Sequence, residues 1–278
     1  MTIKIKPQEN KKGAYIDCDI KSLPKKEIQS IKNALEEFGV LFFRDQDLDP
    51  KSYIEFAKNF GSLADYPMLK GLSGFPEITV VERKKTDKGP NFGGPVGSEK
   101  DPKKNGFHTD SSYTKRPPRF TMLLAKVVPP RGQGNTEFSS QYMAYDKLPD
   151  DYKKKLENIK GVFSSMGTIS ASRIEREKEN SKDNNKKEIK SVHPIIKKIN
   201  DKKTIYCSPG HFIKFENIDE NEAKKLQNFL LNHQVNNSFR FSFEWEPNSL
   251  ALWDNRSTIH RAQSVTGVDR ILHRITIH

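Results

Sequence analysis

His108-Thr109-Asp110, within Phe107-His108-Thr109-Asp110-Ser111-Ser112-Tyr113, decides how the rest of this chain is read. Residues i and i+2 of an extended strand project to the same side. An imidazole and a carboxylate two residues apart can therefore reach one ion. Two imidazoles and one carboxylate on one face of an octahedron form an open iron(II) site, with three positions left for co-substrate and oxygen. The third ligand must then arrive from a strand remote in sequence. Trp253-Asp254-Asn255-Arg256 leads into His260, about 150 residues downstream, and Arg270 follows ten residues behind it.

Upstream, residues 84–106 are rich in Gly, Pro and Lys, show no periodicity and run directly into His108. A loop that long beside a candidate site reads as a lid. Before it, residues 24–38 carry Ile28, Ile31, Leu35 and Phe38 at helical spacing, closed by Gly39 and followed by the apolar strand Val40-Leu41-Phe42-Phe43. Asp49-Pro50 starts a second helix, with Asp as cap and Pro in the first turn. Glu77 to Glu82 is a short strand.

Downstream, Arg119 to Val128 is an apolar strand, and Pro129 to Gly134 turns the chain into Asn135-Thr136-Glu137-Phe138. Residues 141–160 read as helical, and 172–190 as a charged, exposed insertion. Strands follow at Ser191–Lys197, Thr204–Cys207 and Phe212–Phe215, then a helix with Leu226, Phe229, Leu230 and His233 on one face. Phe239, Phe241, Phe243 and Trp245 alternate with Arg240, Ser242, Glu244 and Glu246, the period of a half-buried strand. Leu250–Trp253 and Arg270–Ile277 complete the set. Many short strands with helices concentrated early predict a mainly β fold, a sandwich with flanking helices.

Composition narrows the function classes. The 278 residues are 34% hydrophobic and 30% charged, with no run of about 18 apolar residues that would span a bilayer. The first residues, MTIKIK, lack the apolar stretch of a signal peptide. Cys18 and Cys207, with no CxxC, exclude a disulfide framework or a thiolate zinc site, so a cytoplasmic location is expected. A net charge of +12 raises the question of nucleic acid. The lysines are scattered, however, and the densest cluster, Lys178 to Lys190, is interleaved with Glu177, Glu179, Asp183 and Glu188. No recognition motif accompanies it, so neither a nucleic-acid nor a membrane partner is expected.

FHTDSSY (107–113), the GxGNTEF segment (132–138), WDNRSTIH (253–260) and RILHR (270–274), in that order, resemble the taurine and 2,4-dichlorophenoxyacetate dioxygenase (TauD/TfdA) family. The resemblance runs from about Gly39 to the C-terminus. It implies a double-stranded β-helix (jelly-roll) core with flanking helices, residues 1–278 forming a single domain. It also implies Fe(2+) as cofactor, with 2-oxoglutarate and O2 as co-substrates. His108, Asp110 and His260 match the family's metal triad, the catalytic centre. Arg270 matches the arginine that takes the distal carboxylate of 2-oxoglutarate, a planar fork suited to a carboxylate. Thr136 matches the threonine that contacts the same group. Arg274, on the same strand face by even spacing, matches a position that meets an anionic substrate or closes the co-substrate pocket. Ser111 matches a position lining the substrate pocket. Trp253 to Arg256 are expected to shape the surroundings of the distal ligand without touching the ion.

Departures from the family bear on substrate. The taurine branch has a histidine in the segment corresponding to Tyr66–Lys70 and an asparagine where Lys104 stands, so taurine itself is not implied. Lys70, Lys103 and Lys104 offer positive charge, and His193 and His211 echo the phenoxyacetate branch. The expected activity is hydroxylation of a small anionic organic molecule, aryloxyalkanoate- or sulfonate-like, with cleavage where the carbon bears oxygen or sulfur. A homodimer or homotetramer is left open. Two rival readings are a His/Asp/His zinc metallohydrolase and a non-catalytic basic binding protein on the same fold.

Overall fold

The structure is a computed structural model, and it describes residues 3–64, 71–88, 94–95, 100–169 and 188–278. Residues 89–93 and 96–99 of the lid segment, the charged insertion up to residue 187, and Tyr66–Lys70 lie outside the described residues.

A nine-stranded sheet carries the fold. Its path runs Lys4–Pro7, Ala14–Asp17, Val40–Phe43, Leu250–Asp254, Phe120–Val127, Arg270–Ile277, Phe75–Arg83 and Gly71–Leu72, with Leu63–Ala64 paired to Arg270–Ile277. A second sheet, Arg240–Phe243, Thr136–Ser140 and Thr258–Ala262, stacks against it. The central strands of the large sheet are buried on both faces, and parity sorts their residues. Leu41, Phe43, Met122, Leu124, Leu250, Leu252, Ile275 and Ile277 pack under the helices Lys25–Phe38 and Pro50–Lys58. Their neighbours Val40, Phe42, Leu123, Ala125, Ala251, Trp253 and Leu272 face the second sheet. Each such aliphatic or aromatic side chain contributes about 1.5–3 kcal/mol on leaving water. Two-sided burial explains why these strands read as continuous apolar runs and not as alternations. This is the expected double-stranded β-helix, a strand-rich fold with helices on its flank.

The predicted helix punctuation holds. Lys25–Phe38 ends at Gly39, whose φ of 75° is the left-handed cap that glycine adopts at little cost. Asp49 caps Pro50–Lys58 by accepting from the Ser52 amide. Two segments differ from expectation. Residues 141–160 form two short helices, Gln141–Asp146 and Asp150–Leu156, and then enter a strand at Lys160–Ser164. The Phe239–Glu246 alternation survives as burial, but the ladder covers only Arg240–Phe243; Trp245 is reached by chain beyond the strand.

Candidate metal and co-substrate site

The two histidines are neighbours across a β-bridge. His108 N donates to His260 O and His260 N to His108 O, each at 2.9 Å, so the residues sit opposite each other as a hydrogen-bonded antiparallel pair. Their ring centroids are 4.4 Å apart. The expected strand through Asp110 is thus reduced to a single bridge at His108. Thr109 leaves it, Asp110 opens a turn, and Ser111 is left-handed at φ 45°. The carboxylate still reaches the same point: Asp110 Oδ1 is 3.9 Å from His108 Nε2 and Oδ2 is 3.9 Å from His260 Nε2. All three ligand atoms lie within 4.8 Å of one another, and all three residues are buried. Separations of 3.9 Å are what a pair of bonds of about 2 Å to a shared ion can span.

Protonation suits a cation. Gly106 O can only accept, so His108 Nδ1 donates to it at 2.8 Å, leaving Nε2 with its lone pair toward Asp110. Burial, together with neighbouring His108, pulls His260 down to about 3, keeping it neutral. Burial opposes the charge on Asp110, but His260, Arg274 and His108, with the Thr121 hydroxyl, outweigh it and hold the carboxyl far below its usual range. Two neutral imidazoles and an ionised carboxylate are the donor set that a divalent ion requires.

The carboxylate is held by a chain of fixed polarity that begins in the WDN motif. The Trp253 indole donates to Asn255 Oδ1 at 3.0 Å, Asn255 Nδ2 to Thr121 Oγ1 at 2.8 Å, and Thr121 to Asp110 Oδ2 at 2.7 Å. Trp253 and Asn255 therefore act behind the ligand set, as expected. Asp254 pairs with Arg256 at 2.6 Å and is neither in the ligand cluster nor among the cavity-lining residues. Thr121 carried no motif signal, because a threonine in an apolar strand is ordinary.

Arg270, Leu272 and Arg274 share the inward face of their strand and line the cavity with His108, Asp110, His260 and Thr136. Val81, Leu123, Trp253 and Ala262 supply apolar wall. Arg270 is buried, which lowers its pKa to about 10, so it remains charged at neutral pH. Its Nη2 lies 3.4 Å from Thr136 Oγ1, its Nε has no hydrogen-bond partner, and no carboxylate of the described residues pairs with it. An unpaired buried cation beside a hydroxyl fits a ligand carboxylate. Arg274 Nη1 is 3.7 Å from Asp110 Oδ1. Among the described residues lining the cavity there are two guanidiniums and one carboxylate, one more positive than negative group before any metal is counted.

The remaining candidates are placed differently. Ser111 follows Asp110, but its carbonyl is taken by Thr114 and it is not among the cavity-lining residues. His211 Nδ1 is 2.9 Å from Ser112 Oγ and its ring is 6.0 Å from that of His108. His193 bonds Ser191 and the Thr114 carbonyl and packs on Phe163, which is a structural setting. Lys104 pairs with Asp101. One cluster escaped the sequence reading. Arg261, next to His260, pairs with Glu137, next to Thr136, and donates to Asn105 O at 2.8 Å. That ties the end of the loop before His108 to both site-bearing strands.

A family model, taurine catabolism dioxygenase TauD, TfdA family, matches residues 4–276. The 2,4-dichlorophenoxyacetate dioxygenase of Burkholderia sp. (strain RASC) is 28% identical over 85% of this chain and 80% of its own length. An alkylsulfatase of Acinetobacter baylyi is 27% identical over 90% of this chain and 76% of its own length. The solved structure of AAD-2 in complex with Mn(II) and N-oxalylglycine superposes with a TM-score of 0.77 at 26% identity, covering 100% of this chain and 97% of the other. The chain belongs to the TauD/TfdA family. It is a 2-oxoglutarate-dependent dioxygenase using Fe(II), with a small-molecule substrate. The zinc hydrolase and non-catalytic readings are left without support. No helix of the described residues is long and apolar enough to cross a membrane.

Proposed function

We propose that this dioxygenase oxidises a small anionic organic molecule and breaks a C–O or C–S bond when the hydroxylated carbon bears oxygen or sulfur. In this reading residues 1–278 work as one domain. His108, Asp110 and His260 hold the iron; Arg270 and Thr136 take the distal carboxylate of 2-oxoglutarate. Arg274 meets the anionic end of the substrate or closes the co-substrate pocket, and Ser111, next to Asp110 but outside the cavity lining, is assigned to the substrate side only by its match to the family position. The observation that carries the reading is the convergence of the buried triad with two inward guanidiniums on one cavity. When bound, iron(II) with 2-oxoglutarate and O2 would supply oxidative decarboxylation to succinate and carbon dioxide, one oxygen atom entering succinate and the other the substrate C–H. The chain supplies the ligand geometry, the charge surplus that attracts anions, and a buried setting that limits side reactions.

The substrate class is supported by that charge surplus and by relatives named for an aryloxyacetate and for alkyl sulfates. Succinate release measured with iron(II), 2-oxoglutarate and a panel of aryloxyalkanoates, sulfonates and sulfate esters tests it. The expected result is substrate-dependent succinate with at least one anionic class. Equal or better turnover with neutral analogues overturns the anionic assignment. Unchanged turnover in Asp110→Ala overturns the site.

A further inference from the structure

We propose that Trp245 is a positioning residue for the co-substrate: its indole N–H fixes the direction in which the Thr136 hydroxyl donates. The inference rests on the reading of Thr136 and Arg270 as the anchors of the 2-oxoglutarate carboxylate. Trp245 Nε1 lies 3.0 Å from Thr136 Oγ1, and both residues are buried. Arg270 Nη2 approaches the same oxygen at 3.4 Å. An indole N–H and a guanidinium are donors with no acceptor capacity, whereas a hydroxyl oxygen has two lone pairs and one hydrogen. Two donors aimed at Oγ1 occupy its lone pairs. The hydrogen must then point along the remaining direction, and no acceptor among the described residues takes it. Thr136 and Arg270 both line the cavity. The pair therefore presents donors only, which suits an acceptor-only carboxylate.

The indole is itself held in place. Its ring meets Phe243 edge-on at 4.8 Å, and the Arg270 guanidinium carbon lies 6.0 Å from its centroid. Without the N–H, Thr136 is free to turn its hydrogen away from the cavity and offer a lone pair to the incoming anion, which repels it. An orienting role thus differs from simple core filling, because it acts only on ligands that reach Thr136.

Calorimetric titration of the Mn(II)-loaded protein separates the two. N-oxalylglycine carries the distal carboxylate; oxalate chelates the ion without one. Trp245→Phe should weaken N-oxalylglycine about tenfold, the order expected for one hydrogen bond to a charged group, and leave oxalate within twofold. In Thr136→Val the further change to Phe at 245 should add nothing. Equal weakening of both ligands, no weakening of either, or additive losses in the double variant overturns the proposal. Arg270→Leu that still binds N-oxalylglycine normally overturns the underlying anchor reading instead. Should Trp245→Phe not fold, indole NMR replaces it: the chain has two tryptophans. Thr136→Val should then shift one indole N–H signal and speed its hydrogen exchange, whereas two unchanged signals refute the bond.

Discussion

Thr121 Oγ1 donates to Asp110 Oδ2 across 2.7 Å and at the same time accepts from Asn255 Nδ2, so the carboxylate's second oxygen is fixed by a residue eleven positions later on a central strand. Partners of this kind orient a metal ligand and typically change affinity or activity 10–100-fold when removed, by about that range in known sites. Thr121→Val keeps shape and burial but removes both bonds. Mn(II) affinity measured by calorimetry should fall at least about tenfold, with the fold intact by circular dichroism. Wild-type affinity would mean the chain from Trp253 is decorative.

Arg270 poses a conflict between stability and binding. Its charge is buried, with no carboxylate of the described residues to neutralise it. Arg270→Leu should raise the unfolding free energy of the metal-free protein by about 1–3 kcal/mol while abolishing N-oxalylglycine binding. Denaturant titration checks the first half. A large loss of stability would show that the guanidinium has a structural partner.

Acid should destabilise the metal-free protein earlier than carboxylate titration alone predicts. Burial lowers the pKa of His260 to about 3, and lowers those of His193 and His273 as well. For His260, between about 3 and about 6.5 the unfolded chain binds more protons, so stability is present above about 6.5 and is lost as pH falls through that window; His193 and His273 act in the same direction. His260 alone accounts for about 2 kcal/mol between pH 7 and pH 5. Urea midpoints in EDTA should drop accordingly. A flat profile over that range would contradict neutral burial of these rings.

Gly134 sits at φ 64°, where a Cβ would come 2.7 Å from Pro129 Cγ and 3.3 Å from Arg270 Cδ. Gly134→Ala should cost about 1–2 kcal/mol in backbone strain and displace the Arg270 stem. The expected kinetic signature is a raised KM for 2-oxoglutarate with kcat little changed. An unaltered KM would separate the turn from the anchor.

Much of the site was legible because its signals are local. The GxGNTEF turn and the even spacing of Arg270 and Arg274 each specify a face of a strand or the end of one, whereas the H-x-D pair names the right residues although Asp110 reaches the site from a turn. Helix boundaries were legible where a cap residue enforces them, as at Asp49 and Gly39. What escaped depends on partners distant in sequence. Thr121 and Trp245 look like strand and core residues until Asp110 and Thr136 are placed beside them. The Arg261–Glu137 pair joins two strands and a loop, and neither residue alone differs from a surface charge. The break between Asp146 and Asp150 and the strand at Lys160 were missed because short amphipathic pieces are ambiguous in period.

On the strand Arg270–Ile277, Arg270, Leu272 and Arg274 meet the ligand cavity, whereas Ile275 and Ile277 lie beneath the helices. Inserting one residue ahead of it would exchange the two sets, driving guanidinium groups under the helical layer and delivering aliphatic carbon to the cavity. In this chain the ladder therefore tolerates no single-residue length change ahead of Arg270 without loss of the cavity wall.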